Sequence, residues 1–434
     1  MSHSKNNLNG AFREVPYMGV IWVVAEAMKL GYYNGHPDWA NLGQGQPEIG
    51  ELVGAPKRIT TFSIEPQDQA YGALGGSQEL REKIAAHYNR LFRKKQASRY
   101  TADNVSVAMG GRLMLTRIFA AMDKIRLGYK VPDYTAYEDM INYHHSKVTP
   151  VLIPTSEKNA FDIPAKKFEH TLKKYKLDAY LLSNPCNPTG NVIEGKDLET
   201  YVAAASKLNC TLIFDEFYSH FIFEKKKPGK GAVSAAAYLE DVNTSPVILI
   251  DGLTKSFRYP GWRMGWALGP KTMIDNINRA ASAIDGGPSQ PMTRAALKVL
   301  DKDYADKETS ALRKAFSIKR NLMIESLTNA GIQCMPQGKG TFYIWGNISK
   351  LPKQINNAES FFFEALKHKV MTVPGYFFDI HPGKKKKEKS VFDSWVRFSF
   401  GPSEKNMMHG LDRLTLMISS FAKQKINKKQ NDGF

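Results

Sequence analysis

Two residues whose types and spacing suggest chemistry are Lys255, in Asp251-Gly252-Leu253-Thr254-Lys255-Ser256, and Arg263, in Pro260-Gly261-Trp262-Arg263-Met264-Gly265-Trp266. A lysine with small neighbours can present its amine to a carbonyl, and a fixed guanidinium nearby can hold a phosphate through charge-assisted hydrogen bonds. Taken alone, the pair also fits a surface lysine and a loop arginine. The motifs around them decide between these readings.

The string Asn184-Pro185-Cys186-Asn187-Pro188-Thr189-Gly190 follows the apolar run Asp178 to Ser183. Proline fixes its own φ and restricts the residue before it, so this turn is rigid and the Asn187 amide gains a fixed direction. An amide held this way can donate to a phenolate-like oxygen. The run Thr211 to Asp215 ends in an acid, and Tyr218 stands three residues on. A carboxylate there would keep a pyridine nitrogen protonated and make the ring an electron sink, with Tyr218 and Asn187 in reach of its 3-oxygen. Met109-Gly110-Gly111-Arg112 lies between the run Val105 to Met109 and a helical pattern. Free amides at a helix start form an anion site, and glycine lets the anion approach. Tyr134, in Val131-Pro132-Asp133-Tyr134-Thr135-Ala136-Tyr137, could stack on a flat ring. A ligand that needs an amine, an acid, a stacking ring and a phosphate cradle together is pyridoxal 5'-phosphate.

The chain must supply a frame for these groups. Its 434 residues exceed the length at which one hydrophobic core keeps growing, so two lobes are expected. The runs Val105 to Met109, Asp178 to Ser183, Thr211 to Asp215 and Val247 to Asp251 lack polar alternation, as buried strands do. Helical patterns such as Ser77 to Lys95 and Lys196 to Leu208 lie between them, so the fold class is α/β with a mostly parallel central sheet flanked by helices. The candidate residues fall at the C-terminal ends of those strands, where open α/β sheets bind ligands. After residue 300 come a charged helix (Lys307 to Ala330), a strand-like Gly340 to Trp345, a helix near Ala358 to Lys369 and a last helix from Glu404. These are expected to form a smaller α+β domain of residues 1–62 and 300–434 beside a larger domain of residues 63–299.

Composition excludes several classes. A hydrophobic content of 42% rules out disorder over most of the chain. No run is long and apolar enough for a membrane span, and the N-terminal MSHSKNNLNG lacks the apolar stretch of a secretory signal, so a cytoplasmic location is expected. Cys186, Cys210 and Cys334 are too widely spaced for a disulfide framework or a zinc site, and no metal site is expected. The net charge of +18 arises from scattered lysines, with clusters at Lys225 to Lys230, Lys384 to Lys387 and the C-terminal tail. No aromatic residues interleave with those runs as a base-stacking platform requires, so solvated loops are expected and not a nucleic-acid surface. The positive field would help draw in anionic small molecules.

With these motifs in order, the chain resembles a class I/II aminotransferase of fold type I. The likeness runs from Asn41-Leu42-Gly43-Gln44-Gly45-Gln46-Pro47, through Tyr71 in YGALGGSQELR, to Trp395-Val396-Arg397-Phe398-Ser399-Phe400. The resemblance implies that Lys255 bonds covalently to the cofactor and, once freed by substrate, moves a proton between the substrate α-carbon and the cofactor. It implies that Asp215 pairs with the ring nitrogen, Asn187 and Tyr218 with the 3-oxygen, and that Tyr134 stacks on the ring. Gly111, Arg112, Arg263 and the Tyr71 hydroxyl of a neighbouring subunit would hold the phosphate, and a homodimer follows. Arg397 would clamp the substrate α-carboxylate, assisted by Asn187 and Gly45. The implied activity is ping-pong transfer of an amino group from an L-amino acid to a 2-oxo acid.

This sequence departs from the family pattern at several points. Gly252 replaces a serine that often contacts the phosphate, and Thr254 is expected to substitute from next door. Arg112 is larger than usual there. Asp379 to Ser394 is a longer basic loop than expected; it could lie near the active-site mouth and favour acidic substrates, but a solvated loop is the preferred reading. A substrate side-chain pocket is expected from Tyr17, Met18 and Ile21, from Gly286 to Gln290, and from the partner subunit. None of these offers a second arginine, which favours an aromatic, aliphatic or broad substrate over aspartate. The alternatives are another reaction on the same site, a β-lyase or a cyclase, and a non-catalytic cofactor-binding regulator. Against the regulator reading, no winged helix is expected in the short stretch before Gly45.

Overall fold

The computed structural model describes residues 11–12, 15–223, 231–336, 338–383 and 389–431. The lysine clusters at 225–230 and 384–387 and the side chains beyond residue 422 lie outside the described residues. The strands are Ala40–Asn41 (β1), Val105–Ala108 (β2), Ile125–Tyr129 (β3), Val148–Leu152 (β4), Ala179–Ser183 (β5), Thr211–Asp215 (β6), Val247–Gly252 (β7), Gly265–Leu268 (β8), Gln333–Cys334 (β9), Tyr343–Asn347 (β10), Val370–Met371 (β11), Val373–Pro374 (β12) and Trp395–Ser399 (β13). The α-helices are Val20–Met28 (α1), Gln78–Phe92 (α2), Gly111–Ala121 (α3), Ala136–Tyr143 (α4), Ala165–Tyr175 (α5), Gly195–Leu208 (α6), Lys271–Ile284 (α7), Gln290–Val299 (α8), Lys302–Asn329 (α9), Ala358–Lys367 (α10) and Glu404–Asn431 (α11).

Seven strands form the central sheet in the order β2-β8-β7-β6-β5-β3-β4. Pairing is parallel from β7 to β4, while β8 runs antiparallel to both β7 and β2. Three of the four apolar runs become the middle strands β5, β6 and β7, whose faces are both covered, while Val105 to Met109 becomes the edge strand β2. Leu181, Ile213, Ile248 and Ile250 point to one side, where they pack with Met114 and Ile118 of α3 and Ile274 and Ile277 of α7. Their neighbours Leu182, Leu212, Phe214 and Leu249 point the other way, to α2, α5 and α6 through Ile84, Phe168, Leu172 and Leu198. Alternation along a strand sends successive side chains to opposite faces, so a strand between two helical layers must be apolar throughout.

A second sheet has the order β12-β13-β10-β9 and is antiparallel, and β1 pairs with β11 in parallel. Trp345, Trp395, Phe362, Met371 and Val23 form a separate apolar cluster there, bringing α1 against elements from the other end of the chain. The long helix α9 begins at Lys302, five residues before the expected start, and the strand expected at Gly340 starts at Tyr343. The intervening Thr341 has φ of 63°, which strand pairing does not tolerate.

The ends of β2, β5, β6 and β7 all open on one edge of the central sheet. Since β8 runs the opposite way, the residues just before it, Arg263 among them, reach the same edge.

Candidate active site

Three residues beyond β7, the chain turns back on itself: the Tyr259 amide donates to the Leu253 carbonyl (3.0 Å) and the Leu253 amide to the Met264 carbonyl (3.0 Å). This loop aims Lys255 into a cavity of about 400 Å³ lined by Gly45, Gly111, Arg112, Tyr134, Asn187, Asp215, Tyr218, Thr254, Arg263 and Arg397, among others. The amine donates to the Gly45 carbonyl. Burial pushes it down to about 7, and the guanidinium groups of Arg397, Arg112 and Arg263 add to the effect. It is therefore substantially neutral at ordinary pH, as a nucleophile or base must be.

Asp215, at the tip of β6, is buried at the cavity floor. Burial pushes its carboxyl up to about 6, against the hydrogen bond it accepts from Tyr137 (2.8 Å). A cation placed against it would relieve that cost. Tyr134 packs edge-on to Tyr137, with centroids 5.3 Å apart, and its hydroxyl accepts from Arg112 Nε (3.1 Å). Sequence reasoning missed Tyr137. Its only signal was its position three residues after Tyr134, across the turn that leads into α4, where the Tyr137 amide donates to the Tyr134 carbonyl (3.1 Å).

Arg397 projects from the middle of β13. One nitrogen donates to Asn187 Oδ1 (2.9 Å) and the other to the Gly43 carbonyl (2.7 Å), while the buried Nε has no protein partner. Asn187 is itself held through its backbone N–H, which donates to Ser183 Oγ (3.1 Å), whose hydroxyl donates to buried Asp133. Tyr218 meets Tyr343 hydroxyl to hydroxyl at 2.7 Å. Tyr343 is a second residue that sequence reasoning did not single out.

At the other end of the cavity, α3 begins at Gly111 behind Gly110, whose φ of 98° favours glycine. A Cβ on Gly110 would lie 2.3 Å from Arg263 Nη2, and one on Gly111 would lie 2.3 Å from the Phe217 ring. A glycine at 110 thus lets the guanidinium approach the helix start, and a glycine at 111 lets the helix start lie against the Phe217 ring. The residue at 252 admits no side chain either, since its Cβ would meet the Met264 carbonyl at 2.4 Å.

Of the residues expected to hold the cofactor or the substrate carboxylate, all but one line this cavity. Tyr71 does not, and is fully exposed. Of the residues expected around a substrate side chain, Met18 and Ile21 line the cavity. Tyr17 is exposed, and neither it nor Gly286 to Gln290 lines the cavity of a single chain. The described parts of the 379–394 loop also lie away from the cavity; Gly383 donates from its backbone to Asn142 Oδ1 (2.6 Å).

A reactive amine, a buried acid, bare helix-start amides beside a guanidinium and a second guanidinium with an unused donor suit a phosphorylated pyridine aldehyde and an amino acid carboxylate. Residues 37–414 match the family Aminotransferase class I and II, and the chain belongs to it. It is an enzyme of the aminotransferase type. The aspartate aminotransferase of Pyrococcus abyssi is 27% identical over 392 residues, covering 88% of this chain and 92% of its own. The aspartate/prephenate aminotransferase of Thermus thermophilus is 26% identical over 387 residues, covering 88% and 91%. Among solved structures, the aspartate aminotransferase from Thermus thermophilus with maleate superposes with a TM-score of 0.74 at 21% identity, covering 94% of this chain and 100% of its own. The aromatic aminotransferase from Pyrococcus horikoshii gives 0.71 at 23%, covering 92% and 99%.

Proposed function

We propose that the cavity binds pyridoxal 5'-phosphate and that the chain moves the α-amino group of an L-amino acid to a 2-oxo acid by a ping-pong mechanism. Enzymes of this family use that cofactor. The observation that carries the reading is the convergence of Lys255, Asp215 and Arg397 on one cavity.

When bound, the cofactor supplies a carbonyl for amine exchange and a ring that accepts electrons from the substrate α-carbon. Asp215 would hold the ring nitrogen protonated, and its burial makes that charge pairing strong. Tyr134 would cover one ring face, and Tyr218 with the Asn187 amide nitrogen would donate to the 3-oxygen. The amides at Gly111 and Arg112, the Thr254 hydroxyl and Arg263 would hold the phosphate. Because Arg112 Nε is engaged by Tyr134, only its backbone and terminal nitrogens are left for that purpose. Arg397 would grip the α-carboxylate, leaving the α-hydrogen toward Lys255 Nζ, which takes the proton in its neutral form.

Met18, Val20, Ile21 and Leu115 give the cavity an apolar side, which supports aromatic or aliphatic amino donors. The exposed Tyr71 supports a homodimer in which it serves the partner's phosphate. We read residues 63–299 as the cofactor-binding lobe, and 1–62 with 300–434 as the smaller lobe. The free thiols of Cys186, Cys210 and Cys334 support a cytoplasmic location.

A half-reaction tests the function. Protein loaded with pyridoxal phosphate should lose its visible absorption on addition of an amino acid and release the matching 2-oxo acid without a second substrate. Unchanged absorption across a full amino acid panel, with the cofactor demonstrably bound, would refute transamination.

A further inference from the structure

Tyr343 touches three parts of the site at once. It stands two residues along β10 from Trp345, which pairs with Arg397 on β13, so its side chain shares the face from which Arg397 projects. It is 1% exposed. Its ring lies under the Arg397 guanidinium, with 4.0 Å from the central carbon to the ring centroid. Its hydroxyl is 2.7 Å from that of Tyr218. A Cβ on Gly45 would sit 2.8 Å from the same hydroxyl oxygen and 3.9 Å from Lys255 Nζ.

Resting on the function proposed above, we propose that Tyr343 is a positioning residue for the aminotransferase reaction, with two separable roles. Its ring is the platform that fixes Arg397, and its hydroxyl turns the Tyr218 proton toward the cofactor's 3-oxygen. The first role follows from the directions left open to the guanidinium. Asn187 and the Gly43 carbonyl hold Arg397 within its own plane, and the Tyr343 ring at 4.0 Å, nearer than the Phe378 ring at 5.1 Å, restrains it along the normal, leaving the unpartnered Nε for a ligand. A cation over an aromatic face is attracted to it, and more so when both are dry.

The second role follows from counting protons. Burial raises both phenols above their ordinary value, so each keeps its proton. One hydrogen bond between the two oxygens uses one of those protons. With Tyr343 donating, the Tyr218 proton is free to point into the cavity, and the incoming bond polarises Tyr218 into a stronger donor.

Three variants separate these roles, read by pH titration of the bound cofactor's visible absorption and by steady-state kinetics. Tyr343→Phe keeps the platform and should move the titration midpoint upward by about half a unit, as a weakened donor stabilises the anionic 3-oxygen less. Its KM for the amino donor should stay within about twofold. Adding Tyr343→Phe to Tyr218→Phe should shift the midpoint no further, because the hydroxyl acts only through Tyr218. Tyr343→Leu removes the platform as well and should raise KM about tenfold or more, with a smaller loss in kcat. Tyr343→Met replaces it should the leucine protein not fold.

A Tyr343→Phe midpoint equal to wild type, or a further shift on the Tyr218→Phe background, would overturn the hydroxyl role. An unchanged KM in the leucine or methionine protein would overturn the platform. A wild type with neither visible absorption nor turnover would instead overturn the function on which the inference rests.

Discussion

An amine set among three guanidinium groups is uncharged at a pH where an ordinary lysine is almost fully protonated. Lys255 pushed down to about 7 means that the protein without cofactor should capture pyridoxal phosphate at a rate that rises through pH 7 and levels off above it. An unperturbed lysine would keep the rate rising toward pH 10, near its ordinary value of about 10.4. Stopped-flow absorption at a series of pH values distinguishes these outcomes. Arg112→Ala removes one of the cations that discourage protonation, so it should move the midpoint upward. On the function proposed above, Arg397 would serve the substrate and not the cofactor. Charge-assisted hydrogen bonds contribute on the order of 1.5–3 kcal/mol, so Arg397→Ala should lower kcat/KM by about 10- to 150-fold. The visible absorption of its bound cofactor should remain, and an equal loss of cofactor would contradict this division of roles.

At the scale of the elements, β7 and β8 explain why a glycine stands where relatives often carry a serine. Position 252 pairs with Gly265, and the Met264 carbonyl occupies the space a Cβ would need. Gly252→Ser should therefore gain no phosphate contact. Overpacking of this kind costs about 1–3 kcal/mol, seen as a lower melting temperature with no tighter cofactor binding; a serine protein that bound the cofactor more tightly would show that the strand pair can yield. The middle strands could be read in the sequence because both their faces are covered, which leaves an unbroken apolar run such as Leu212 to Phe214. The antiparallel β8 could not, since Gly265 to Leu268 is brief and follows directly on the Arg263 segment. Lys255, Asp215 and Asn187 could be found because each sits in a turn or strand end with its own local motif, whereas Arg397, in the middle of β13, could be reached only through the family resemblance. Tyr137 and Tyr343 lacked one: Tyr137 meets Asp215 from 78 residues away, and Tyr343 meets Tyr218 from 125. Only the fold makes such contacts.

At the scale of the whole molecule, segments remote in sequence are locked around the cavity. Arg258, just past Lys255, is fully buried, pairs with buried Glu308 of α9 (2.6 Å) and donates to the carbonyls of Glu48 (3.0 Å) and Gly50 (2.6 Å). Lys319, farther along α9, donates to Glu48 Oε1 (2.6 Å) and to the Pro402 carbonyl (2.8 Å). The turn carrying Gly45, the loop carrying Lys255 and the strand carrying Arg397 are thereby tied to one helix. Tyr71 stands outside this arrangement, fully exposed in the single chain. If it completes the partner's phosphate site, two defective proteins should repair each other. In a mixed dimer of Lys255→Ala and Tyr71→Ala subunits, the second subunit keeps its lysine and receives an intact Tyr71 from the first, so one of the two sites is whole. Random exchange of equal amounts makes half the dimers mixed, and about a quarter of all sites should regain wild-type cofactor affinity. Were Tyr71 to act within its own chain, or were the protein a monomer, no site in the mixture would hold both residues. Titrating pyridoxal phosphate into the exchanged mixture would then show no wild-type phase.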